Sequence, residues 1–335
     1  MERVTIKDVA RRAGVSIATV SRVINKTSNV SPEIKKKIEE AIVELNYRPN
    51  LMARALKNDI THTIGIIISD ISNPFFMNII REVENQVKEF GYTLIMVSTD
   101  EDPEKERQYI KVMYDKRVDG IIISSTGKNE DYLCKVKDSG IPIIFIDRRP
   151  DDYKFDTVYV DKAKAAYNIT NYLLSKGHRK IALISGPRDI ITNYDRFLGY
   201  TKAFYNNNLP INNEFLYFGE YTSEYGAQVL EQIFKLKDKP TAIISASEKI
   251  TNGILLQANR LNICIPDDIS LVSFGDIEMG ELIKPRLTYV DNLNNEVGKI
   301  AGKMILERLK DYQKNVEERI LNTNLVIRES VKEIK

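Results

Sequence analysis

The 335-residue chain is 43% hydrophobic and 29% charged, an ordinary globular composition too long for one core, which points to two or three domains. Its net charge of +2 conceals an asymmetry: residues 1–60 hold 12 Lys+Arg against 7 Asp+Glu, leaving 37 against 40 for the rest, so the cationic excess is N-terminal. Cys134 and Cys264 have neither CxxC nor Cys/His spacing, so neither a disulfide framework nor a zinc site is indicated. No apolar run approaches the roughly 18 residues of a membrane span, and the opening Met-Glu-Arg-Val-Thr is no apolar signal segment. The expected location is the cytoplasm.

In chain order, Thr5 and Asp8 have the spacing of an N-cap with an acidic third residue, so a first helix should run from Ile6 to about Ala13. Gly14 supplies a turn and a second helix begins near Ser16. That second helix turns Val20 and Val23 inward and leaves Ile17, Ala18, Thr19, Ser21, Arg22 and Asn25 on an outer face that is small and polar with one Arg. Such a face fits a DNA major groove, where Arg22 can donate two hydrogen bonds to a guanine, worth roughly 1–3 kcal/mol of discrimination. Ser31-Pro32 reads as a cap plus a proline at the first helical position, opening a third helix to about Leu45. After the break at Asn46–Asn50, Leu51–Leu56 is too short to be a stable helix alone. Two copies paired in the minor groove could drive Leu56 into a base step, with Ala53 on the same face; the plain alternative is a linker.

Residues 3–56 resemble, without gaps, the DNA-binding headpiece and hinge helix of the lactose-repressor/galactose-repressor (LacI/GalR) family. The resemblance implies that Ile17, Ala18 and Arg22 read bases and that Leu56 is the hinge wedge. Ile17 and Ala18 can offer only apolar contact, for example to thymine methyls. The full expected DNA-facing set is Thr5, Ser16, Ile17, Ala18, Thr19, Ser21, Arg22, Asn25, Asn29, Ser31, Tyr47, Asn50, Ala53 and Leu56.

From Thr63 onward, strand-like Ile/Val/Leu runs alternate with amphipathic helices. One series lies at 64–69, 92–98, 120–124 and 142–146, and a second at 157–160, 180–185, 215–218, 241–245 and 269–274. Near-continuous apolar strands suit parallel sheets covered on both faces, hence two doubly wound α/β lobes behind an all-α headpiece. Ligands of such sheets bind beyond the carboxyl ends of strands. The residues there are Asp70–Phe76, Asp147-Arg148-Arg149, Asn193-Tyr194-Asp195-Arg196 and Gly219-Glu220-Tyr221. Carboxylates and guanidinium groups grip hydroxyls while aromatic faces cover sugar C–H faces.

Residues 62–330 are similar to the effector domain that this family shares with periplasmic sugar-binding proteins, and the Asn-Pro-Phe-Phe stretch is similar to that of ribose-type binders. Carried over by motif, Asn73, Phe75, Phe76, Asp147, Arg148, Arg196 and Tyr221 fall on effector contacts; Asn193, Ser247 and Asp276 complete the expected set. Two motifs depart from the family. Ser247-Glu248 stands where Asn-Asp or Asp-Asp is usual, and Ser273-Phe274-Gly275-Asp276 puts Gly275 at the usual ligand-binding Asp. The expected division is a DNA-binding domain at 1–49, hinge and linker at 50–61, a first lobe of 62–160 plus 291–320, and a second of 161–290 plus 321–335. Crossovers are expected near 160, 290 and 322.

No Walker loop, GxGxxG or GxSxG appears, and neither His62 nor His178 has a nucleophile or metal partner in its segment, so no catalysis, cofactor or metal is expected. The resemblance implies a homodimer on a pseudopalindromic operator, controlled by a small carbohydrate between the lobes. Two alternatives stay open: a global carbon-catabolite regulator answering to a phosphorylated carrier protein, and a sugar-binding protein without regulatory role.

Overall fold

The computed structural model describes residues 4–25, 30–47, 60–150, 154–277 and 280–334. The chain divides into two units, Met1–Thr61 and His62–Lys335. In the first, helix α1 (Ile6–Ala13) opens as its spacing predicts, the Asp8 carboxylate accepting the Thr5 N–H at 2.9 Å and its hydroxyl at 2.6 Å. Gly14 closes α1 at φ +66°, a left-handed conformation that glycine adopts without steric cost. Ser16 Oγ accepts the Thr19 N–H at 3.1 Å to start α2 (Ile17–Asn25), and Ser31 with Pro32 starts α3 (Pro32–Glu44). Val9, Ala10, Val20, Ile38 and Ala41 form the buried core of the three helices, and Arg12 clamps α1 to Glu44 of α3 at 2.6 Å.

The second unit alternates strand and helix. Its first run is β1 (Thr63–Ile68), α4 (Pro74–Val87), β2 (Thr93–Ser98), α5 (Pro103–Asp115), β3 (Gly120–Ile123), α6 (Glu130–Asp138), β4 (Ile143–Ile146) and β5 (Asp156–Val160). The second run is α7 (Lys162–Ser175), β6 (Ile181–Ser185), α8 (Ile191–Asn206), β7 (Leu216–Phe218), α9 (Ser223–Lys235), β8 (Ala242–Ser245), α10 (Glu248–Arg260), β9 (Ser270–Phe274) and β10 (Thr288–Val290). The chain then adds α11 (Asn294–Lys310), β11 (Glu318–Leu321) and β12 (Leu325–Val326). These strands make two six-stranded sheets, ordered β11-β5-β4-β3-β1-β2 and β12-β10-β9-β8-β6-β7. Every pairing is parallel except β10 with β12. Strand β5, grouped by sequence with the second series, pairs with β4 in the first sheet.

The apolar runs are explained by two-sided burial. Ile64, Ile66 and Ile68 pack under α4 and α11, while Ile67 points to the other face with Ile110 and Met113 of α5 and Leu133 of α6, the period-two alternation of a strand. In the second sheet α7 and α8 cover one face, and α9 and α10 the other. A buried ion pair braces the first lobe: Arg308 of α11 holds both oxygens of Asp156 at 2.8 and 2.7 Å. The chain passes between the sheets after β5, after β10 and after β11, so the two lobes are joined by three crossings at one edge of a cleft.

Candidate functional site

The headpiece carries its candidate DNA face on α2. With Val20 anchored in the core, Ile17 is 45% exposed, Ala18 and Arg22 are exposed, and Thr19 and Ser21 are half-buried. No acidic residue lies on α2, so nothing on this helix repels phosphates. Thr5, Ser16 and Ser31 all sit at helix starts and their hydroxyls are engaged there, at the end of a helix that favours an anion. Tyr47 is half-buried, its ring packed against the headpiece core where its N–H bonds the Ile42 carbonyl at 2.9 Å after α3. Asn29, Asn50, Ala53 and Leu56, and the side chain of Asn25, lie outside the described residues.

In the larger unit, loops after the strands of both sheets meet across the cleft. Its floor is Lys162, the first residue of α7 just past the first crossing, 3% exposed. Its ammonium lies 3.4 Å from Asp147 of the first lobe, 3.2 Å from the Asn292 Oδ1 in the second crossing, and 5.4 Å above the Phe75 ring. Burial pushes Lys162 down to about 8; Asp147 pulls it back up and the Arg196 charge depresses it further. Asp147 ends β4 at φ +63°, a left-handed turn that Asp tolerates better than most residues.

On the second-lobe wall Arg196 is 6% exposed, lies over Phe274 at 4.7 Å, and donates to Asn193 Oδ1 at 3.1 Å and to the Tyr221 hydroxyl at 3.3 Å. Its Nε is buried without a partner. Tyr221 donates to Asn193, and Gly186 must lack a side chain because a Cβ there would stand 2.5 Å from the Tyr221 ring. The first-lobe wall holds Arg148, clasped by Glu101 at 2.8 and 2.5 Å and donating to Ser125 O at 3.1 Å. Besides Lys162 with Asp147, two further ion pairs among the described residues bridge the lobes: Arg149 with Asp195, and Lys249 with Asp70 at 2.5 Å, Lys249 also reaching Ser72 at 2.7 Å.

Of the residues expected from the sequence, Phe75, Asp147, Arg148, Asn193, Arg196 and Tyr221 lie along the cleft, and four others have structural roles of their own. Phe76 is 3% exposed in the core under α4, because the buried stripe of that helix runs Phe76, Ile79, Val83, Val87. Asn73 and Ser247 cap α4 and α10, their side-chain oxygens accepting Phe75 N–H at 3.1 Å and Ile250 N–H at 3.3 Å. Asp276 is exposed, accepts the Ile277 N–H, and faces Arg328 at 4.0 Å. At Gly275 the backbone stands at φ +89°, a left-handed conformation that L side chains rarely adopt, and a Cβ there would also sit 2.8 Å from the Asn292 amide nitrogen. Lys162, Asn292, Glu101 and Lys249, which the structure also brings to the cleft, were not singled out from the sequence. The strand-end rule that found the others would also have flagged Asp161-Lys162 after β5 and Asp291-Asn292 after β10.

A helix-turn-helix joined to a two-lobed cleft receptor is the build of a ligand-responsive DNA-binding regulator. Residues 5–50 match the bacterial regulatory proteins of the lacI family, and residues 61–329 match the periplasmic binding proteins and sugar binding domain of the LacI family. The chain belongs to the LacI family: it is a DNA-binding transcriptional repressor with a periplasmic-binding-protein-like effector domain. The HTH-type transcriptional repressor PurR of Vibrio parahaemolyticus is 36% identical over 98% of this chain and 99% of its own length. Among solved structures, the lac repressor dimer bound to operator and the anti-inducer ONPF superposes with a TM-score of 0.84 at 25% identity, over 99% of this chain and 100% of that one. A LacI family regulator from Enterococcus faecium with bound ribose superposes with a TM-score of 0.73 at 26% identity, over 82% of this chain and 100% of that one. No described helix is long and apolar enough to cross a membrane.

Proposed function

We propose that the chain is a dimeric repressor of carbohydrate-utilisation genes, switched by a small sugar or sugar derivative held between the lobes. The observation that carries this reading is the floor at Lys162, where one ammonium touches Asp147 of the first lobe and Asn292 of the second crossing, beside Phe75. A ligand settling there meets both lobes and two of their three connections at once, so its binding energy acts on the angle between them. Phe75 offers an aromatic face, and Asp147, Asn193 and Arg196 offer acceptors and donors, the mixture that a polyhydroxylated ring requires. In a dimer, two α2 helices would read the halves of a pseudopalindrome, and the segment around Leu56 would fold on the duplex as a minor-groove wedge. Coupling of about 1–3 kcal/mol between cleft and operator changes operator affinity about 5- to 150-fold.

The deciding experiment is selection of bound duplexes from a random pool by the full-length protein, with and without a panel of monosaccharides and sugar phosphates. A palindromic consensus whose retention changes with one sugar supports the reading. A protein with no preference over bulk DNA, or a consensus that no sugar affects, sinks it.

A further inference from the structure

The loop after β4 sends Arg149 across the cleft to Asp195 of α8. Both terminal nitrogens of the guanidinium donate to the carboxylate, Nη2 to Oδ1 at 2.9 Å, a paired geometry that demands coplanar groups and so one relative orientation of the lobes that carry them. The Asp195 side chain is only 8% exposed, which sets the pair apart from a surface bridge that water screens. The bridges from Lys162 and Lys249 use ammonium groups, point charges that tolerate rotation.

Each partner is tied to a part that lobe motion must involve. Asp195 immediately precedes Arg196 of the second-lobe wall on one helix, so the two side chains move together. The Arg149 guanidinium lies 5.9 Å from the ring centre of buried Tyr159 on β5, and the Tyr159 hydroxyl donates to Glu318 of β11 at 3.0 Å. Strands β5 and β11 lead into the first and third crossings. The clasp therefore stands between the effector wall and the strands about which the lobes turn.

Around it the seam is loosely filled. Arg149 lines two cavities, one of about 210 Å³ between the loop after β3 and the start of α8, the other of about 100 Å³ beside Phe155 and Glu318. At about 30 Å³ per liquid water they hold about seven and three waters. Close-packed side chains would resist a change of angle here, whereas water in these spaces can hydrate both charges once they part. The pair thus has two accessible states, joined and parted, as a switching element requires.

We infer that the Arg149–Asp195 clasp sets the resting angle between the lobes, favouring the closed cleft in which an effector touches both walls. Arg149 and Asp195 are positioning residues, acting through Arg196 and through the crossing strands. The inference rests on the carbohydrate-switch reading above and adds the pair that tunes it. Population arithmetic fixes what its loss does: fewer closed molecules weaken the apparent affinity for effector, while saturating effector still draws the lobes shut.

The test is a double-mutant cycle in the full-length protein, Arg149→Ala, Asp195→Ala and the two together, with Asp195→Asn as an isosteric variant should the alanine fail to fold. X-ray scattering reads the radius of gyration, and calorimetry the affinity, for ribose, glucose, ribose 5-phosphate and glucose 6-phosphate. Each single variant should widen the free protein, weaken whichever of these sugars binds the native protein about five- to tenfold, and regain native dimensions at saturation. The double variant should do no more than either single one. Additive losses, native dimensions in both single variants, or a widened form that saturating sugar does not close would each overturn the inference. If none of the sugars binds the native protein, the carbohydrate reading falls, and the dimensions of the free variants still decide the clasp.

Discussion

The headpiece and the two-lobed unit present their working side chains in opposite ways. On α2 the candidate readers Ile17, Ala18 and Arg22 stand exposed, backed among the described residues by a core of five buried ones. In the cleft, Lys162, Arg148 and Arg196 are themselves buried, held by hydrogen bonds and aromatic faces between sheets whose two faces are both packed. A groove reader has to protrude, so its residues are coupled weakly to its fold and its fold is slight. A receptor that encloses its ligand desolvates its own charges, so function and stability share the same atoms.

The largest expected effect comes from attacking the slighter core. Ile38 is fully buried at the centre of the headpiece, and Ile38→Ala costs about 2–5 kcal/mol, comparable with the whole stability of so small a helical domain. Operator binding should be lost while sugar binding and the main thermal transition of the larger unit persist. Calorimetry that showed both units weakened together would break the comparison. The converse is Arg196→Ala, which removes a buried donor set facing the cleft and should lower effector affinity by about 2–5 kcal/mol with operator affinity of the free protein unchanged. If that variant still answers to effector normally, the wall is misassigned.

Lys162 tests the claim that receptor charges are tied to stability. Its folded value is lowered from 10.5 to about 8, so between those values the unfolded chain binds more protons than the folded one and stability rises with pH. Below about 8 the buried ammonium opposes folding by on the order of 3 kcal/mol; that opposition is relieved as pH climbs. Urea titrations from pH 7.5 to 10 should show a steeper gain for the native protein than for Lys162→Met. Parallel curves would remove Lys162 from the cleft floor. Arg22→Ala sharpen the other side: Tm should stay put, while discrimination at one base pair falls by about 1–3 kcal/mol, read by competition between operator variants.

Local signals were legible in the sequence because they depend on neighbours along the chain. Thr5 with Asp8, Ser31 with Pro32 and the alternation of Ile64, Ile66 and Ile68 each state a cap or a face within a few residues. The strand-end rule carried that reading to Asp147, Arg196 and Tyr221. Two residues in the expected contact set, Asn73 before Pro74 and Ser247 before Glu248, also have the form of helix starts, and the structure shows both as caps. Choosing Phe75 over Phe76 needed the phase of the whole α4 stripe. The Lys162–Asn292 contact spans 130 positions; each residue follows a strand end, but their pairing exists only because two crossings lie side by side, which no local signal states.

The smallest expected effect lies where the two lobes touch outside the buried floor. Lys249 bonds Asp70 and Ser72 across the cleft, yet these charged side chains are 28% and 30% exposed, and exposed ion pairs contribute about 0–1 kcal/mol. Burial alone would raise the Asp70 carboxyl, and the bonds from Lys249 and Ser72 more than offset it, holding it below its ordinary value. A depressed carboxyl adds stability above its unfolded value and loses it as pH falls through the folded one, so this latch should loosen under acid conditions. Lys249→Ala should therefore leave Tm nearly unchanged at neutral pH and widen the lobes slightly, detectable as a small rise in the radius of gyration of the ligand-free protein and a weaker effect of effector on it. A drop in Tm as large as that of a core substitution would mean the lobes are held together at this flank, and the division between exposed reader and buried receptor would then fail within the receptor itself.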